Sequence, residues 1–500
     1  MQRQGCSTLT HKPRRAFCPL FLGGLLFIAP LLHAGEQSTF YVALNGDDAS
    51  GNGSIAQPWR TITFALDQVP DAATIFVRPG VYQGRVRIRG QFDQGVTVAA
   101  EQPYRTRLEH DNNVVTIWND NNDVYGITLS GFEIAHTGSG AGPVVSQVQD
   151  GANADTYNIT FSNNIFHDSF NNDILKVNNG ASQIRVMGNL FYNQNGSDEH
   201  IDINSVDDVL VEGNIFFNDF SASNRPNNNN TSSYIVVKDS NGNSDDYLGA
   251  HDVRIRRNIF LNWQGSTGSN FVLCGEDGQP FFETQNMLIE NNLLLGNSNN
   301  TMRAAMGVKG CRDVRVRANT IRGNLPSLAY AMRLNREGSN PANDQIVFYN
   351  NIWSDNQGSM ADFSDTPPSD TNNFNLQRNL YWNQGNPIPS SNQDLINPND
   401  DLQAIVANPD FSQSLSSVQA PYWLPAEGRF NGGAETIAEV FEQLVLRYAQ
   451  ATGAGVDQAD PTQMPNDDIL GFTRDHTPDI GALEAGSVQQ LHRDGFEATN

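Results

Sequence analysis

Eight times along this chain a short β-rich run reaches an Asn followed by an apolar pair, at Asn164, Asn189, Asn214, Asn258, Asn292, Asn319, Asn351 and Asn379. The steps between them are 25, 25, 44, 34, 27, 32 and 28 residues. Recurrence at such a period is the mark of a solenoid, in which no unit buries its apolar face alone and each stacks on the last. The units read NNIFHD, GNLFYN, GNIFFN, RNIFLN, NNLLLGN, ANTIRGN, NNIWSDN and RNLYWN. Alternating strands such as Ile184–Val186, Val209–Val211, Val253–Ile255 and Val314–Val316 precede them. Asn tolerates the left-handed backbone of a sharp corner, and stacked Asn side chains can hydrogen-bond up the coil. The pattern predicts an all-β parallel β-helix, three short strands per turn around a continuous apolar core.

Residues 1–34 stand outside that fold. Lys12, Arg14 and Arg15 precede an apolar stretch from Phe17 to Leu32, and Leu32-His33-Ala34 offers a small-residue cleavage site, which predicts a signal peptide and a secreted protein, extracellular or periplasmic. That stretch is short for a membrane span and holds two Pro, so no membrane is expected in the mature form, a monomer. Two of the four Cys leave with the leader; Cys274 and Cys311 remain, as a disulfide or as two buried thiols. The leader carries Arg3, Lys12, Arg14 and Arg15 and no acid, so the formal charge of −24 becomes −28 without it. That charge excludes nucleic acid as a partner and would repel an acidic sugar polymer unless a divalent cation sits between the two.

The coil is expected over 35–411, with a capping helix at Trp59–Val69, rungs starting at Thr74, and solvent loops at Asn218–Ser233, Asp239–Ala250 and Thr366–Asn375. Residues 412–486 hold a helix at Ala434–Ala451, packed on the coil or its end, and a closing strand at Asp479–Glu484; 487–500 read as a disordered tail. Tyr41-Val42, Gly46-Asp47, Gly51, Gln57-Pro58-Trp59, Thr61-Ile62, Ala65, Thr74-Ile75 and Arg78-Pro79-Gly80-Val81-Tyr82 match the usual opening of secreted right-handed parallel β-helix proteins of the pectate lyase superfamily, which the chain resembles. The resemblance implies a right-handed coil.

Lys is scarce, with Lys176, Lys238 and Lys309 the only ones past the leader, beside 27 Arg in the whole chain. Each ends a strand of one kind, in the series Ile174–Val177, Ile201–Asn204, Ile235–Lys238, Phe271–Cys274, Met306–Lys309 and Ala331–Leu334, which should stack as one sheet. Alternation turns Lys176, His200, Asp202 and Asn204 outward, with Arg333 in the same column. Arg keeps its proton near neutral pH, whereas a partly desolvated Lys beside a metal can lose it. Asp173 opens one of these strands, and one coil on stand Asp198, Glu199 and Asp202; four crowded acids call for a cation, and Ca²⁺ accepts irregular oxygen ligands.

This constellation resembles the pectate lyases of polysaccharide lyase family nine. There an Asp on one coil and an Asp-Asp-x-x-Asp group on the next hold Ca²⁺, and a Lys further along takes the substrate's C5 proton. The resemblance makes Asp173, Asp198, Glu199 and Asp202 the metal ligands and Lys238 the base, with Lys176 or Arg333 on the substrate carboxylate. Glu199 departs from the pattern by replacing an Asp, and His200 by standing where Gly is usual, crowding the groove. The implied activity is Ca-assisted β-elimination on an acidic polysaccharide. Two alternatives stay open. A glycoside hydrolase would pair Asp202 with Asp207 or Asp208, though the Gly-His pair and Arg-x-Lys segment of the hydrolase branch are missing. A non-catalytic glycan-binding or adhesion protein would need none of this chemistry.

Overall fold

The computed structural model describes residues 38–225, 229–323 and 329–487. The expected signal peptide at 1–34 lies outside the described residues, as does all but Ser487 of the expected disordered tail at 487–500. The core is a right-handed parallel β-helix built from sheets of twelve, ten and twelve strands, and except for one consecutive pair at the start of one sheet and one at the end of another, neighbouring strands come three apart in chain order. Every turn thus contributes one strand to each sheet. Among the described residues, strands pair in parallel except for a two-stranded ribbon, Trp423–Leu424 with Arg429–Phe430, and three isolated bridges are antiparallel.

The repeated Asn forms a ladder along one corner. Asn189 Oδ1 accepts from the Asn164 backbone N–H at 2.8 Å and from its Nδ2 at 3.1 Å, and Asn214 stands to Asn189 in the same way. The chain of bonds continues through Asn258, Asn292, Asn319 and Asn351 to Asn379, which passes to the carboxylate of Asp401. All eight are fully buried. The left-handed backbone conformation belongs to the residue before each one, Asn163, Gly188, Gly213, Arg257, Asn291, Ala318, Asn350 or Arg378. The ladder residue is therefore kept for its side chain, and the strained φ falls on whatever precedes it.

The apolar pair after each Asn has two destinations. Phe166, Phe191, Phe216 and Phe260 point inward, their rings stacked coil on coil at 4.9, 5.1 and 5.0 Å. Ile165, Leu190, Ile215, Ile259 and Leu293 point outward, into a second cluster closed by the C-terminal segment. Its helix spans Ile437–Tyr448, capped by Thr436, and lays Ile437, Val440, Phe441, Leu444 and Tyr448 on that flank. The expected closing strand at Asp479–Glu484 is not one. Gly481 N–H donates to Asn350 O and Ala482 N–H to Thr320 Oγ1, so the segment is pinned by scattered bonds without a ladder. The opening helix is also shorter than expected, Ile62–Gln68 with Thr61 as N-cap. Trp59 instead bridges Val42 and stacks on Phe40 at 5.4 Å. Among the described residues no helix is long and apolar enough to cross a membrane. Cys274 and Cys311 are joined as a disulfide, Cα to Cα 6.4 Å.

Candidate active site

The ten-stranded sheet carries all six strands of the lysine-bearing series. Its register lines up Gln147, Lys176, Asp202, Val236, Leu273, Gly307, Arg333 and Asp365, one per coil. Leu175, Val177, Ile201 and Ile203 face the core, so this column faces out. A second outward column runs Gln149, Asn178, Asn204, Lys238.

Asp173, Glu199 and Asp202 bring one carboxylate oxygen each to within 4.8 Å of the others. All three residues are at least 98 % buried. Lys176 Nζ donates to Asp202 Oδ2 at 2.5 Å and to Asp173 Oδ2 at 3.3 Å, so an ammonium lies against two of the three acids. Burial and the neighbouring Asp202 push the Asp173 carboxyl up to about 7 despite that ammonium. Burial and Asp173 hold Glu199 well above the usual carboxylate range. For Lys176 burial acts downward, but Asp202 and Asp173 outweigh it and hold the proton more firmly than usual. Asp173 and Glu199 thus hold protons that a further positive charge would displace, and Asp202 Oδ1 is buried with no hydrogen-bond partner. A hard divalent cation fits both facts: the donor set is all carboxylate oxygen, and an orphaned oxygen belongs to it. Asp198 is half-buried beside this trio and outside it, its carboxyl raised by burial.

Lys238 stands one strand on from Asn204. Its Nζ donates to Glu276 Oε2 at 2.6 Å, with Asp277 Oδ1 at 3.8 Å. Burial again works against its charge, but Asp202, Glu276 and Glu199 outweigh it and raise its pKa. Glu276 and Asp277 were not among the residues singled out from the sequence. Their signal was the run Gly275-Glu276-Asp277-Gly278, placed directly after a strand of the Lys238 sheet. The loop is braced from beneath by the fully buried Glu283, whose carboxylate accepts from the backbone N–H groups of Glu276, Asp277, Gly278 and Gln279 at 2.8, 3.0, 2.7 and 3.2 Å. Asn340 Nδ2 adds a fifth bond at 2.8 Å. Glu276 also accepts from Ser232 Oγ at 3.4 Å, so its one carboxylate ties the Lys238 ammonium to Ser232 near the start of the Thr231–Lys238 strand.

Other sequence candidates fall elsewhere. His200 turns inward, against the expected alternation. Its ring stacks on Tyr234 at 4.3 Å, Nε2 bonds Asn218 Oδ1 at 2.8 Å, and burial pushes its pKa down to about 3. It fills a slot in the core and does not crowd the groove. Arg333 shares the Lys176 column, but five strands away, roughly 24 Å at the usual strand spacing, so the two cannot touch one sugar. Arg333 Nη1 donates to Gly268 O at 3.1 Å, and Nε lies 3.8 Å from Asp365. Lys309 pairs with Glu337 at 3.0 Å. Asp207 and Asp208 lie on a strand of a different sheet from Asp202, with Asp208 held by Arg185 and Arg254, so the hydrolase pairing is not assembled.

No family model matches the chain, and no curated protein matches it. Solved structures similar to it include XylC in complex with xylose, at 11 % identity and TM-score 0.48 over 89 % of this chain and 98 % of that one. A pectate lyase aligns at 15 % identity and TM-score 0.41, covering 89 % and 96 %. A mannuronic-acid-specific polysaccharide family 6 lyase from the human gut microbiota aligns at 11 % and 0.47, covering 74 % and 87 %. At such values the likeness is one of fold and says nothing of chemistry.

Proposed function

We propose that the protein is a polysaccharide lyase that cleaves a uronic-acid-containing polymer by β-elimination. The observation that carries this is the buried Asp173, Glu199 and Asp202 trio on the outward face of the groove sheet, with Lys176 against it and Lys238 one coil further on. Ca²⁺ would be held by those three carboxylates with Asp198 beside them. When bound, it supplies charge neutralisation for the substrate carboxylate, which acidifies the C5 proton. Lys176, freed from Asp202, is placed to bind that carboxylate. Lys238 Nζ is the proposed base. Glu276, hydrogen-bonded to Nζ at 2.6 Å, is the group that would relieve it of a proton before it acts on C5. Nζ then takes the C5 proton, the C5–H electron pair becomes the C4–C5 double bond, the C4–O4 bond breaks, and the leaving oxygen takes a proton from water.

The test is a panel of uronic-acid polymers assayed for absorbance of the unsaturated product, with Ca²⁺ or with chelator. At least one should be eliminated in Ca²⁺, and Lys238→Arg should lower the rate by about 10²-fold or more, because Arg keeps the charge and cannot accept the proton. Absence of product from every polymer, or a fully active Lys238→Arg protein, sinks the proposal.

A further inference from the structure

On the outward face beside the acid trio, the coil before Lys176 presents amides. Directly opposite Lys176 on the preceding coil stands Gln147, and opposite Asn178 stands Gln149. Gln147 Nε2 donates to Gln149 Oε1 at 2.8 Å and to Asn178 Oδ1 at 3.3 Å, while its Oε1 accepts from Asn113 Nδ2 at 3.2 Å. These four side chains hold one another at defined positions on the outward face. One coil earlier the column carries Thr116, and only then Arg87, two strands beyond Gln147, roughly 10 Å.

In the other direction the outward face narrows past the base, Lys238. Val236 and Leu273 occupy the next outward positions after Asp202, yet they are 0 % and 3 % exposed, and the Glu276 carboxylate lies between the Lys238 ammonium and Ser232. Cations further on are engaged by acids, Arg303 with Asp365 and Lys309 with Glu337. From the trio and its base, the outward face therefore continues toward Gln147.

A sugar chain lying along the coil axis advances about one strand per residue, since strand spacing is roughly 5 Å and a pyranose repeat is comparable. The sugar next to the cleaved uronate then falls on the amide set. Amides donate to and accept from hydroxyl and N-acetyl groups, but they offer no charge to offset the desolvation of a carboxylate. A homopolyuronate would bring a carboxylate to this position, against a chain of net charge −24. We infer that the groove selects a heteropolymer in which the uronic acid alternates with a neutral or N-acetylated sugar, the neutral unit resting on Gln147, Gln149 and Asn178. This rests on the lyase reading for the placement of the uronate.

Two measurements test it on the full mature chain. Elimination rates are compared between homopolymers (polygalacturonate, alginate) and alternating polymers (hyaluronan, unsulfated chondroitin). Retardation in native gels containing each polymer reports binding without catalysis. At least a tenfold preference in kcat/KM for an alternating polymer is expected, together with stronger retardation by it. Gln147→Lys should narrow that preference by raising the homopolymer rate. A homopolymer cleaved or bound as well as the alternating ones, or retardation by none, overturns the inference, and so does a preference that Gln147→Lys leaves unchanged. If an alternating polymer retards the protein but no polymer is eliminated, the lyase reading fails and the sugar preference stands on the gels alone.

Discussion

Removing the Lys176 ammonium is the sharpest probe of the acid trio. Lys176→Met keeps the aliphatic stem and deletes the charge that donates to Asp202 and Asp173. Taking one partner from a buried ion pair costs about 3–5 kcal/mol, because the other is left unpaired in a poor solvent. Here the loss belongs near the lower end, about 3 kcal/mol, since Asp173 and Glu199 already hold protons more readily than ordinary carboxyls and can neutralise themselves in part. Equilibrium urea unfolding at pH 7 in chelator, followed by the fluorescence of the six Trp, should show that difference between wild type and variant. Ca²⁺ at a fixed concentration of 100 times the variant's Kd adds about 2.7 kcal/mol to the variant if it binds only the folded state. The variant should gain nearly all of this and approach wild type, whereas wild type, in which the cation must displace an ammonium, should gain less. Equal midpoints in chelator would mean that Lys176 does not compensate the acids, and equal gains in both proteins would mean that ammonium and cation do not share the site.

Asn258→Leu should lower stability by about 3–5 kcal/mol in the same unfolding assay, because it strands Val211 O, Arg256 O and the Asn214 N–H at once; a loss under 1 kcal/mol would show that the ladder is ornamental. His200 sets a pH dependence: its folded pKa lies near 3, below the ordinary 6.5, so the unfolded chain binds more protons between those values and stability falls as pH drops through that window. His200→Phe should flatten this part of the curve, and an unchanged slope would acquit the residue. Glu283→Gln should cost about 3 kcal/mol, since an amide cannot accept from four backbone N–H groups as a carboxylate does, and in the Ca²⁺ elimination assay it should lower kcat through the loosened Glu276 loop; wild-type kcat in a destabilised variant would separate the loop from catalysis.

The coil was legible because its cause is local and repeated. An Asn at each corner, an alternating strand before it and an apolar pair after it recur often enough for period alone to order the strands, and alternation turned Lys176 and Asp202 to the outside together. What period cannot reveal is which apolar face is covered by distant chain. The outward Ile165, Leu190 and Ile215 make sense only once the 412–486 segment lies on them, and the sequence left open whether that segment sat on the flank or the end. Alternation also assumes a straight strand. It failed at His200, where a core slot made by Tyr234, Phe216 and Asn218 outweighs the pleat. The acid trio was visible as composition, but its pairing with Lys176, the exclusion of Asp198 and the Glu276 partner of Lys238 depend on distances across coils. Loops of unequal length set those distances, and spacing along the chain does not record them. The disulfide follows the same rule: two Cys 37 residues apart bond because adjacent coils bring their Cα atoms to 6.4 Å, and only the stacked structure determines that number.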